Sequence, residues 1–175
     1  IVNADNSATT SLGALSLDAR GLGGDASNSE NTTGGDALGG TASLTVDGGV
    51  NAQFALITLD TSAQAGNASS PSGTSGQSGN ARANNVTLAA TNGSTIDSSG
   101  NITLLAAGMG VAGENLGMGT GGNVAVNATT GGTISTGNRL IVQATGGSSS
   151  LATAQSSGNG VGGNVDFLAD GGTIV

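Results

Sequence analysis

The chain has 175 residues and a formal charge of −8; 34 Gly, 21 Ser, 21 Thr and 17 Asn fill more than half of it, beside three Arg and no Lys, His, Cys, Trp or Tyr. Without His or Cys there is no imidazole base, no thiolate nucleophile and no zinc site of the usual ligand types, and so little positive charge makes nucleic acid and anionic membranes unsuitable partners. No apolar stretch approaches the ~20 residues of a membrane span, yet a composition 35% apolar and only 8% charged is unlike that of a solvated disordered chain.

No basic segment followed by an apolar run opens the chain, so an export signal is expected outside it. The first strand is predicted at Leu15-Ser-Leu17-Asp-Ala19, where large apolar residues alternate with polar ones and a small residue takes the third inward place. That is a period of two with one face buried. Two Gly-Gly-Asp sequences follow, Gly23-Gly24-Asp25 and Gly34-Gly35-Asp36, with Glu30 between them. An acidic Gly-rich loop suggests calcium, but the in-register nonapeptides that share ions between turns are missing. Asp25, Glu30 and Asp36 are the candidate metal ligands, while a solvated acidic loop with no cofactor is the expected state.

A second kind of strand follows at Leu44-Thr-Val46-Asp-Gly48, then a short Gly48-Gly-Val50 element and the strand Ile57-Thr-Leu59-Asp-Thr61. These three recur in order. The next set is Val86–Ala90, Gly93-Ser-Thr-Ile96 and Ile102–Ala106; then come Val124–Ala128, Gly131-Gly-Thr-Ile134 and Leu140–Ala144; Val165–Ala169 and Gly171-Gly-Thr-Ile174 close the series. First residues of the V-x-V block advance by 42, 38 and 41, and those of the I-x-L block by 42, 45 and 38. Two independent blocks with one period of about 40 residues define a tandem array. The many β-branched residues and Gly disfavour a helix.

One-sided strands at a fixed period bury their apolar face by stacking copy on copy. The expected fold is therefore all-β, a parallel β-helix (solenoid) of about four rungs of ~40 residues. Residues 1–175 read as one uncapped segment, an excerpt of a longer array or a stacking unit. From V-x-V to I-x-L the steps are 13, 16 and 16, and back again 29, 29, 22 and 25. The second connection, for example Ala65 to Ala83 or Gly108 to Gly122, is expected to protrude as a Gly/Ser-rich loop with nothing to form a core. Two thinner coils per repeat, of roughly 16 and 24 residues, are the alternative.

Asn85, Asn123 and Asn164 each precede a V-x-V strand, and Asn101 and Asn138 take the equivalent place before I-x-L. Stacked, they are expected to form structural ladders in which one side-chain amide donates to the next. Asn-x-Ser/Thr sequons at Asn31, Asn67, Asn85, Asn92, Asn101 and Asn127 are barely above chance frequency. Asp18 and Asp60 follow the inward Leu of adjacent repeats and would, as a close pair, carry a raised pKa. With no His, Lys or aromatic platform beside them, solvated acids are expected and no catalytic residue is assigned. The outward positions Thr45, Thr87, Ala125, Asp166 and Ser16, Thr58, Thr103, Ile141 are too irregular for an ice-ordering Thr array.

The pattern G-G-N-V-x-V-x-A, G-G-T-I-x-[ST]-x-G-N, I-x-L-x-A-x-G, best developed over residues 121–146, resembles the repeats of filamentous haemagglutinin-like adhesins. The resemblance implies a right-handed parallel β-helix, export to the surface of a Gram-negative bacterium, and service as a stalk or adhesive shaft. The expected partners are neighbouring copies or flanking repeats stacked end to end, together with an unspecified host receptor or glycan. A self-assembling extracellular filament and a polysaccharide-acting β-helix enzyme or lectin are the rival readings.

Overall fold

The computed structural model describes residues 9–27, 33–69, 76–110, 117–148 and 159–175. Every named element is a strand, the longer ones built of alternating Val, Ile, Leu and Thr between Gly-rich turns. The first repeat holds β1 (Thr9–Asp18), β2 (Gly21–Leu22), β3 (Ala26–Ser27), β4 (Ala37–Leu38) and β5 (Ala42–Val46). The second holds β6 (Asn51–Asp60), β7 (Ala63–Gln64), β8 (Ala68–Ser69), β9 (Ala81–Arg82) and β10 (Val86–Ala90). In the third are β11 (Thr95–Ser98), β12 (Ile102–Leu105), β13 (Gly108–Gly110), β14 (Gly119–Thr120) and β15 (Val124–Thr129). The fourth has β16 (Thr133–Thr136), β17 (Leu140–Gln143), β18 (Gly146–Ser148), β19 (Gly160–Val161) and β20 (Val165–Asp170), and β21 (Thr173–Ile174) follows it.

Each strand pairs in parallel with its counterparts in the neighbouring repeats. One seven-stranded sheet joins β1, β6, β11, β12, β16, β17 and β21; three four-stranded sheets run β5-β10-β15-β20, β2-β7-β13-β18 and β4-β9-β14-β19; β3 pairs with β8. Leu15 lies opposite Ile57, Ile57 opposite Ile102 and Ile102 opposite Leu140, separations of 42, 45 and 38 residues. Among the described residues no V-x-V strand pairs with an I-x-L strand, so the two-thin-coil alternative fails: one level of pairing takes a whole repeat.

The main core lies between the seven-stranded sheet and the β5-β10-β15-β20 sheet. Ile57, Leu59, Ile96, Ile102, Leu104 and Ile134 from the first meet Leu44, Val86, Leu88, Val124 and Val126 from the second, all buried. Each such side chain contributes about 1.5–3 kcal/mol by leaving water. Ala90, Ala106 and Ala128 fill the third inward positions. Phe54 is buried with them, a core aromatic that no repeat pattern marks.

Three expectations need correction. Leu44 lies opposite Leu88, not Val86, and Ala42 takes the Val86 place. The outward partner of Thr87 is accordingly Ser43, and that of Ala89 is Thr45. Likewise Ala52, not Val50, lies opposite Ile96. Both slips are of two residues, which leaves the inward face unchanged and hence invisible to alternation. The turn between the two strands decides the register: Asp47 bonds to Thr91 and Asn92, while Ser94 Oγ accepts from the N–H groups of Gly49 and Val50.

The third correction concerns the long connection. Instead of a coreless loop it supplies two short facing layers, β2-β7-β13-β18 against β4-β9-β14-β19, that stack through all four repeats as an arm. Among the described residues its apolar cluster is made of Ala37, Ala63, Ala65 and Ala81, with glycines between. A Cβ on Gly108 would collide with the Thr120 carbonyl, and one on Gly119 with the Gly147 carbonyl. The layers approach backbone to backbone, so Gly is what permits the arm to close. Gly35 N–H donates to Gly24 O (2.8 Å) and Gly66 N–H to Gly35 O (2.9 Å), stitching layer to layer. At the neck Gly40, Gly122 and Gly163 donate to Ala19, Ala106 and Ala144; in the second repeat the Thr61 hydroxyl donates to Asn84 O (2.7 Å) instead.

Candidate functional site

The polar side chains read from the sequence fall into columns along the repeat axis. Asn85 Oδ1 accepts from Asn123 N–H (3.4 Å), and Asn123 Oδ1 from Asn164 N–H (3.2 Å). These three residues stack in a column, but its links run from backbone N–H to side-chain oxygen, not from side-chain amide to side-chain amide as expected. Asn101 and Asn138 do not form one. Ile102 pairs with Leu140, which puts Asn101 opposite Arg139, one residue out of step with Asn138. Asn138 N–H instead lies 3.4 Å from Thr136 Oγ1 in its own turn.

Two candidate metal ligands have the same ladder role. Asp25 Oδ1 accepts from Asn67 N–H (2.8 Å) and Asp36 Oδ1 from Asn80 N–H (2.7 Å) in the next repeat, and Asn80 Oδ1 in turn accepts from Met118 N–H (2.9 Å). Glu30 lies outside the described residues. Among the described residues no three acidic, His or Cys side chains converge. The Asp25 and Asp36 side chains are exposed, and each also accepts a backbone N–H of the next repeat. Spacing alone hid this, because their counterparts are Asn at 42 and 44 residues' distance across segments without strand character.

Asp18 and Asp60 do lie opposite each other. Arg20 sits between them: its NH2 group contacts Asp18 Oδ2 at 2.6 Å and its Nε lies 3.8 Å from Asp60 Oδ2. Side-chain hydrogen bonding from Arg20, followed by its backbone N–H, holds the Asp18 carboxyl below its ordinary value. The raised pKa that a proton-donating dyad requires is therefore reversed at Asp18. A shallow groove of about 270 Å³ runs beside this trio where the seven-stranded sheet meets the arm, lined in part by Gln64, Met109 and Gln143.

The sequence reading missed the turn around Asp47. Asp47 Oδ1 receives Thr91 Oγ1–H (2.7 Å), Asn92 Nδ2–H (2.7 Å) and Gly48 N–H (2.8 Å). The Thr91 and Asn92 bonds, with the backbone N–H of Gly48 adding to them, lower its pKa. In every repeat the next residue has positive φ: Gly48 (79°), Asn92 (52°), Thr130 (52°) and Gly171 (64°). The recurrence of Asp/Thr before Gly/Asn/Thr-Gly was the signal available. What the columns do chemically is pair backbone N–H groups of one repeat with side-chain oxygens of another.

No family model, curated protein or solved structure matches this chain.

Proposed function

We propose that these repeats form a right-handed parallel β-helix that serves as the shaft of an extracellular, structural and adhesive surface protein, stacked against flanking repeats or neighbouring copies. The observation that carries this reading is the ladders: Asp25, Asp36, Asn80, Asn85 and Asn123 each hold the backbone of the next repeat. Such an arrangement spends polar side chains on rigidity along one axis. The haemagglutinin-like pattern supports export from a Gram-negative cell and display on its surface. The test is to exchange the segment, in the displayed parent protein, for an unrelated rigid rod of equal length. Adherence survives the exchange if the segment is a spacer; loss of adherence together with specific glycan or receptor binding by the isolated segment overturns the shaft reading.

A filament of stacked copies is the second reading, favoured by one observation. Val165 and Phe167 are 41% and 55% exposed, whereas Val124 and Val126, one repeat earlier, are fully buried. The outer edge of the fourth repeat presents apolar side chains and unpaired strand to whatever stacks on it, a further repeat of the chain or a second copy. Concentration-dependent sedimentation with fibres under the electron microscope is its expected signature, and a monomer at all concentrations removes it.

A further inference from the structure

The second repeat has a neighbour on each side, and there the coil (the seven-stranded sheet with the β5-β10-β15-β20 sheet) and the arm hold their backbones by equivalent bonds. In the coil, Ile57 N–H donates to Asn101 O at 3.0 Å and Val86 N–H to Asn123 O at 2.8 Å; in the arm, Ala63 donates to Ala107 O and Ala81 to Met118 O, both at 2.9 Å. What lies behind those bonds differs. The coil strands bury Ile57, Leu59, Val86 and Leu88 completely, whereas the apolar cluster of the arm is made of alanines.

Beyond the second repeat even these methyl groups give way. One arm column reads Gly21, Ala63, Gly108, Gly146, and the column facing it reads Ala37, Ala81, Gly119, Gly160. The large apolar side chains of the arm are turned to solvent instead: Leu22, Leu38 and Met109 are 78%, 66% and 51% exposed. An N–H released by opening exchanges its partner for water at little net cost, so the apolar surface that opening uncovers decides how strongly an element resists it. By that measure the arm is weak where the coil is strong.

The two meet at a narrow neck. It is closed by the Gly40 and Gly122 N–H groups on Ala19 O and Ala106 O, and in the second repeat by the Thr61 hydroxyl on Asn84 O. On the coil side of it Val86 stays paired with Val124 and Ile57 with Ile102, so parting the neck leaves the coil register untouched.

We propose that the arm is a separately opening unit, which comes apart from the neck outwards, through its stacked repeats together, while the coil stays folded. Its column bonds from repeat to repeat make the opening collective. Opening turns one flank of the rod into Gly-rich segments tethered at both ends, and closing restores the two layers; the length and stiffness of the rod belong to the coil alone.

The test is amide hydrogen exchange of the intact chain, followed residue by residue by NMR in low, non-denaturing urea and corrected for the intrinsic rate of each amide. Ala63, Ala81 and Gly108 are expected to exchange about a hundredfold faster than Ile57, Val86 and Ile102, as one group, and with a shallower dependence on urea because less surface is uncovered. Gly119→Ala, which crowds the arm, is expected to speed the arm amides by about tenfold or more and leave Ile57 and Val86 unchanged. A difference below about tenfold between the two groups, or a Gly119→Ala chain in which coil and arm amides accelerate equally, overturns the proposal and makes coil and arm one cooperative unit.

Discussion

Thr130 is the most strained residue of the repeating turn. Its φ of 52° is shared by Asn92, and Gly occupies the same place as Gly48 and Gly171. A β-branched residue is poorly suited to the left-handed region, at a cost of roughly 1–2 kcal/mol. Thr130→Asn keeps a polar side chain and relieves the clash, so it is expected to raise stability by up to about 1 kcal/mol, read as a higher urea midpoint. Asp47 leads to a pH prediction. Its carboxyl is held below the ordinary value of 3.8, so the folded chain binds fewer protons than the unfolded one as acid is added. The associated stability is fully present above that ordinary value and disappears as pH falls through the lower, folded one. Asp47→Asn leaves an oxygen acceptor but no titration, and flattens the acid limb of the urea-midpoint profile; an unchanged limb assigns it to other groups such as Asp18.

Among the elements, the arm shows how backbone proximity replaces a side-chain core. Gly119→Ala places a methyl against the Gly147 carbonyl and is expected to destabilise by about 1–3 kcal/mol or more. Gly147→Ala meets nothing within 4 Å and is expected to be neutral. Thermal unfolding of the pair checks this; equal effects deny close contact between the layers. The period-two pattern read strand identity and inward face correctly at Leu15, Ile57, Val86 and Val124. It misplaced Leu44 and Val50 by two residues, because such a slip preserves the face and only the turn bonds to Asp47 and Ser94 distinguish the registers. It also treated the arm as a loop: its strands are two or three residues long and turn only Gly or Ala inward, which leaves no run of large apolar residues to read.

For the whole molecule, stability is a sum over levels and their interfaces. Leu104 is fully buried in the third repeat, while Leu22 is 78% exposed on the arm. Leu104→Ala is expected to cost about 2–5 kcal/mol and Leu22→Ala close to nothing, measured by urea unfolding. The outer edge is where association belongs: Phe167→Glu places charge on the exposed face of β20 and is expected to abolish concentration-dependent sedimentation without changing the circular dichroism spectrum. Self-association unaffected by that change locates the contact elsewhere.

By itself the sequence determined the strand class, the repeat of about forty residues, the aliphatic inward face and the alignment of Asn85, Asn123 and Asn164 in one column. All of these follow from local periodicity and from identical residues recurring at one spacing. Tertiary structure alone decided the register of the first repeat, the closure of the arm, the pairing of Asp25 and Asp36 with Asn67 and Asn80, and the placement of Arg20 between Asp18 and Asp60. Each depends on which backbone groups meet across some forty residues. That distance is set by turn geometry and close approach of glycines, and no single strand records it.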